Sequence, residues 1–204
     1  MKMLTIDDIQ SVNKENLEEI SAELEADDLN LLVSCLDEKD DKIRYPALLL
    51  LQHRSEIHED VFPFWDEFTK KLTDTNSFQR SIGLMMIAAN ARWDHGDRMK
   101  TTLDDYLNCL NDEKPITIRQ GIQGLMQIVP FHEKLRLKIA DRLMQLDLKD
   151  IRETMRKSIL TDILNVLMII RRNGTTDSIE QYIGNALTGG ILDRKTVQQF
   201  QHQL

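Results

Sequence analysis

Four times along this chain a leucine closes an apolar helical stretch, an acidic or polar turn follows, and an arginine comes one turn into the next apolar stretch. The copies run from Leu36 to Arg44 in LDEKDDKIRYPALLLL, from Leu72 to Arg80 in LTDTNSFQRSIGLMMI, from Leu110 to Arg119 in LNDEKPITIRQGIQGL and, more loosely, from Leu146 to Arg156 in LDLKDIRETMRKSIL. The arginines are 36, 39 and 37 residues apart. A period of this length marks one supersecondary module per repeat. Such a module cannot bury its apolar face alone, so neighbours must stack.

The modules read as paired helices. Leu29, Leu32, Val33 and Leu36 line the first helix, and Ile43, Ala47, Leu48, Leu50 and Leu51 the second, at helical spacing. Proline is tolerated in a first turn, so Pro46 predicts a second helix that starts near Tyr45 or bends there. The second pair is expected over 61–72, with Asp60 as cap, and 78–92. The third covers 98–110 and 115–129, Pro115 opening its second helix. The fourth covers 132–146 and 150–172, giving a last helix of about 34 Å, stopped by Asn173 and Gly174. Aromatics at 5% and only 8 glycines and 4 prolines argue against a sandwich or barrel.

Outside the repeat, Thr5 and Asp8 have the spacing of a capping box, and Asn13 can cap a helix with Leu17, Ile20 and Leu24 on one face. Its other face is Glu15, Glu18, Glu19, Glu23 and Glu25. A stacked array needs a terminal unit with a polar outer side, and residues 1–27 supply one. A second reading of the same carboxylates is a lure for a basic partner. A tail helix over 178–187 and a polar final helix close the other end.

The net charge of −8 is uneven: residues 1–41 carry 13 acids against 3 basic residues, whereas 134–172 carry 10 basic residues against 5 acids. No apolar run reaches the length of about 18 residues that crosses a bilayer, and no signal peptide is evident at 1–9, so a cytoplasmic location is expected. Cys35 and Cys109 each precede a signature leucine, two repeats apart. Two helix layers of about 10 Å put them roughly 20 Å from each other. A disulfide needs Cα atoms within about 7 Å, which excludes an intrachain bridge in a regular stack.

Paired helices with an acidic turn and an arginine early in the second helix resemble HEAT repeats over residues 28–172. The V-R-x-x-A-like pattern of that family stands here as Ile43-Arg44-Tyr45-Pro46-Ala47 and Ile118-Arg119-Gln120-Gly121-Ile122, with Phe78-Gln79-Arg80-Ser81-Ile82-Gly83 a displaced copy. The resemblance implies an all-α, right-handed α-α superhelix: a HEAT-like solenoid of about four helical pairs with helical N- and C-terminal caps, in a single domain over 1–204. Tetratricopeptide repeats suit the period better, but their Trp, Gly, Tyr and Pro landmarks are missing. An acid lies six residues before each arginine: Glu38, Asp74, Glu113 and Asp150. Each can cap the coming helix and meet a guanidinium, which makes Arg44, Arg80, Arg119 and Arg156 a structural ladder fixing the stacking register. Arg156, the weak copy in the basic stretch, is the one expected to be free of that duty.

No residue pattern supports catalysis by a familiar route. Glycine-rich phosphate loops, CxxC, HExxH and GxSxG are absent, and His95 between Asp94 and Asp97 lacks a full ligand set. Catalytic residues, cofactor and metal are all entered as none. The resemblance instead implies binding on the concave face of second helices. Positions one, five and eight after each arginine select Tyr45, Gln52, Ser81, Met85, Gln120, Gln127 and Lys157 as partner-binding, and another protein or peptide as the partner. Some HEAT-like proteins are alkylpurine DNA glycosylases that use tryptophans with an aspartate on a basic face. Trp93-Asp94 and Trp65-Asp66 echo those residue types, and Arg136, Arg152, Arg156, Lys157, Arg171 and Arg172 would be the nucleic-acid contacts. The acidic balance of the chain argues against that reading, and no membrane contact is expected.

Overall fold

The computed structural model describes residues 3–204, which form helices joined by short turns, with no strand among the described residues. No helix is long and apolar enough to cross a membrane. The chain divides into two compact units, Met1–Arg98 and Met99–Leu204. Each unit holds two copies of the leucine–arginine signature.

In the first unit, α1 (Ile6–Gln10) and α2 (Leu17–Ala22) precede the pair α3 (Ala26–Cys35) and α4 (Asp41–Ile57). The pair α5 (Trp65–Lys71) and α6 (Ser77–Asn90) follows, flanked by 3₁₀ turns at Phe62–Phe64 and Ala91–Trp93. Helix α4 is the hub, packing against α1, α2, α3 and α6, while α5 packs on α6. Leu32, Leu36, Leu50, Leu51, Phe68 and Ile87 are fully buried in this core. The Thr5–Asp8 capping box is present at α1. Asn13 takes a different task from the one expected: its Oδ1 accepts the amides of Glu15 and Asn16, and α2 begins only at Leu17.

Two further expectations are corrected here. Helix α4 runs unbroken from Asp41, with Pro46 buried inside it. Asp40 holds its start, Oδ1 accepting the Lys42 amide at 2.9 Å, so the apolar run to Leu51 extends a helix already nucleated upstream of the proline. Asp60 does not cap the next helix. Its carboxylate is taken by Arg54, whose Nε lies 3.1 Å and Nη2 2.6 Å away, while Arg54 Nη1 donates to the carbonyls of Ser21 and Ala22. A buried guanidinium needs all its donors met, and this one joins the end of α2 to α4 and the turn after it.

The second unit contains α7 (Arg98–Asn108) with a closing 3₁₀ turn at Cys109–Asn111, α8 (Pro115–Ile128), α9 (Arg136–Met144) after a 3₁₀ turn at Glu133–Leu135, and α10 (Glu153–Arg171). Helices α11 (Asp177–Thr188) and α12 (Arg194–Gln201) follow. Pro115 opens α8, as its fixed φ and missing N–H favour. Helix α10 starts three residues later than expected, so its 19 residues span about 28 Å. Gly174 beyond it has φ 137°, a conformation closed to other residues. Helix α8 packs against α10, α9 against α10, and α11 against α10 and α9. In both units, therefore, the second helix of one pair lies on the second helix of the next.

Candidate functional site

The arginine signature builds the ends of these second helices, through an atom that residue types do not reveal. Arg44 Nη1 donates to the backbone carbonyl of Glu38 at 3.1 Å, and Arg80 Nη1 to the carbonyls of Asp74 and Thr75 at 2.8 and 3.0 Å. Position six before the arginine thus contributes its carbonyl, and the carboxylates expected to meet the guanidinium do other work. Asp74 Oδ1 accepts the Asn76 amide, and Asn76 in turn caps α6 through the Phe78 amide. The physical reason is that carbonyls at the end of a first helix lack intrahelical donors, and a fixed guanidinium fork satisfies them.

Arg156 makes the same clamp, Nε to the Ile151 carbonyl and Nη2 to the Lys149 carbonyl, both at 2.9 Å. It is therefore anchored like Arg44 and Arg80, contrary to the expectation of a free residue. The departure is Arg119. Its Nε donates to Asp162 Oδ2 at 2.7 Å across to α10, and Gln123 Nε2 lies 3.4 Å from both oxygens of the same carboxylate. The Asp162 side chain is only 8% exposed. Nothing in the arginine spacing selects Asp162. Aligning the repeats does, because the position six after each arginine otherwise holds Leu50, Met86 and Leu125.

Of the residues expected to form rows, Tyr45, Gln127 and Lys157 are exposed, and Gln52, Ser81, Met85 and Gln120 half-buried. The row eight after each arginine is not a surface, since Ala88 and Leu164 within it are buried. A helical face drifts inward over eight residues, whereas offsets of one and five stay on the outer stripe. In the first unit the surface is dominated by two aromatics at the N-terminal ends of α4 and α6. Tyr45 is 59% exposed and Phe78 64%. The Arg44 guanidinium lies 5.5 Å from the centre of the Phe78 ring, and its side chain is only 13% exposed. Asp41 holds the same guanidinium from the side, so Arg44 supports the ring as a fixed cation. Phe78 is the residue that row counting missed; its signal was a large apolar side chain two positions before an arginine, where Lys42 stands one repeat earlier.

In the second unit the stripe is polar: Gln120 on α8, and Lys157 and Thr161 on α10. Lys157 pairs with Asp193 at the start of α12, which holds that carboxyl below the usual carboxylate range together with the Thr196 amide. A separate groove of about 930 Å³ lies between the turn at 111–115 and the longer turn at 145–152, with mixed charge around it from Glu113, Lys114, Asp150 and Arg152.

The residues expected to contact nucleic acid are dispersed and largely engaged. Arg136 donates to the Val129 and Pro130 carbonyls, Arg156 to its turn, Lys157 to Asp193, and Arg171 to Glu180 and the Leu204 carbonyl. Arg152 and Arg172 are exposed at opposite ends of α10, about 30 Å apart along the axis. The tryptophans serve the fold: Trp65 is buried against Phe62, and Trp93 Nε1 donates to the Ser55 carbonyl at 2.7 Å. Asp94 accepts the amides of Gly96 and Arg98 at the start of α7. Cys35 and Cys109 are buried free thiols, and burial, aided by the Glu38 charge, pushes the Cys35 thiol up, away from nucleophilic reactivity. No group of metal-ligating side chains gathers among the described residues. Comparison with protein-family models, curated proteins and solved structures gives no match to this chain, so its function is read from its own residues.

Proposed function

We propose that this chain is a HEAT-like, non-catalytic scaffold that binds another protein through the faces of its second helices, with Tyr45, Arg44 and Phe78 as the anchor. The observation that carries the reading is the pair of aromatics, each more than half exposed, beside a guanidinium already fixed by Asp41 and the Glu38 carbonyl. Tyrosine, phenylalanine and arginine are the residues enriched in protein interfaces, and side chains already held in place lose little freedom on binding. Ser81 and Met85 continue the same stripe along α6. The packing of α4 on α6, and of α8 on α10, supports the HEAT-like arrangement of pairs.

The test is affinity capture with the full chain, comparing wild type with Tyr45→Ala/Phe78→Ala. Both side chains are exposed, so circular dichroism should be unchanged while specific partners are lost at least about tenfold. Equal recovery by the double variant would rule out this face. Gln120→Ala with Lys157→Ala examines the second unit in the same way.

A further inference from the structure

The N-terminal end of the first unit carries a surface that the second-helix reading does not use. A groove of about 260 Å³ opens there, with Met3, Leu4, Ile20 and Leu24 as its apolar lining and Asp8, Glu23 and Asp28 along its edge. Its shape is fixed rather than loose. Buried Asp28 accepts the Leu4 amide at 2.8 Å and the Glu25 amide at 3.0 Å, tying the strand-like entry of the chain to the start of α3. Met3 is 64% exposed, so apolar surface is left open to solvent at the groove.

The electrostatics around this groove have one sign. Residues 3–28 contain nine carboxylates and a single basic residue, Lys14. Asp7, Glu15, Glu18, Glu19, Glu23, Glu25 and Asp27 are all exposed. The cation that α4 brings to this end, Arg54, spends its donors on the Ser21 and Ala22 carbonyls and on Asp60. His53, also from α4, is held at 2.8 Å from the Ser21 hydroxyl. A terminal cap needs only a polar outer side, which uncharged or mixed residues provide without the mutual repulsion of like charges. An apolar groove framed by unneutralised carboxylates is complementary to one chemistry, a chain segment that is both cationic and apolar.

We propose that this groove docks a cationic, amphipathic segment of a partner protein, one apolar side chain entering between Ile20 and Leu24 and lysine or arginine side chains meeting Glu19, Glu23 and the carboxylates around them. The site is independent of the Tyr45–Phe78 face and stands or falls by itself.

Fluorescence anisotropy with labelled synthetic peptides of about twelve residues tests it. The probes are a peptide alternating lysine with leucine, the same peptide with serine for leucine, and one with glutamate for lysine. With the full chain, the lysine–leucine peptide should bind saturably at about 50 mM salt and weaken markedly at about 300 mM. The serine peptide should bind at least about fivefold more weakly and the glutamate peptide not at all. Glu19→Gln/Glu23→Gln should lose about tenfold with unchanged circular dichroism, while Tyr45→Ala binds as wild type. Equal affinity for the serine and leucine peptides would reduce the groove to diffuse charge attraction and overturn the proposal. So would undiminished binding by the glutamine variant, or no saturable binding of the lysine–leucine peptide.

Discussion

Asp162 occupies a place that hydrocarbon fills in the other three repeats. Leu50, Met86 and Leu125 stand six residues after their arginines and are fully buried, and each adds to the core by removing apolar area from water. At Asp162 the same position holds a charge whose desolvation is offset by Arg119 and Gln123. Breaking such a pair from one side is costly, whereas replacing it whole by apolar residues can be neutral or stabilising. Asp162→Asn should therefore cost about 1–2 kcal/mol, a figure kept low because Arg119 is 28% exposed and partly screened. The double change Arg119→Met/Asp162→Leu should recover that loss. Urea denaturation of the two variants decides: a double variant no more stable than Asp162→Asn would mean that the ion pair cannot be exchanged for packing. The repeat alignment already showed an acid at a core register; its partner lies 43 residues away, beyond the reach of local pattern.

Helix α5 is short, and its hold on α6 depends on close backbone approach. At Gly83 an added Cβ would come within 2.8 Å of the Phe68 carbonyl oxygen, 3.0 Å of Lys71 Cβ and 3.3 Å of Leu72 Cδ2. The first obstacle is backbone and cannot swing aside. Nearby, Lys71 Nζ reaches Asp37 and Gln79 Oε1, and Gln79 Nε2 donates to the Leu36 carbonyl at 2.8 Å, so the same contact carries the polar link between successive turns. Alanine in place of glycine would gain about 1 kcal/mol of helix propensity in isolation. Here Gly83→Ala should instead destabilise the chain by about 1–3 kcal/mol, because forcing α5 off α6 outweighs that gain. Thermal and urea unfolding check the sign, and a stabilised variant would show that α5 shifts freely. Helix existence and pairing were legible from apolar spacing, since each helix buries one stripe. The starting points of α4 and α10 were not, because Asp40 and the Lys149 and Ile151 carbonyls set them through contacts that residue types do not specify.

At the scale of the molecule, the two units bury different chemistry. The first encloses the cations Arg54 and Lys71, each met by a carboxylate; the second encloses Asp162 and the phenol of Tyr106. Tyr106 donates to the Gly121 carbonyl at 3.0 Å, and burial pushes its ionisation far above the usual value of 10.0. The folded state therefore keeps the proton that the unfolded chain releases, so stability declines as pH rises past about 10. Denaturant midpoints measured from pH 9 to 11 should fall, and Tyr106→Phe should fall less steeply despite losing one hydrogen bond. Parallel slopes would assign the alkaline loss to other groups.

The amino-acid sequence by itself determined the helical class, the fourfold period and the unequal charge, because these follow from side-chain spacing and count. It also exposed Tyr45 as a surface residue one step past an arginine. Tertiary packing alone decided which atoms the arginines hold, why Trp65 and Trp93 are spent on the fold, and why Phe78 stands beside Arg44. The reason is physical: hydrogen-bond partners and exposure depend on what the next helix brings within a few ångströms, and the spacing of residues along one helix does not contain that information.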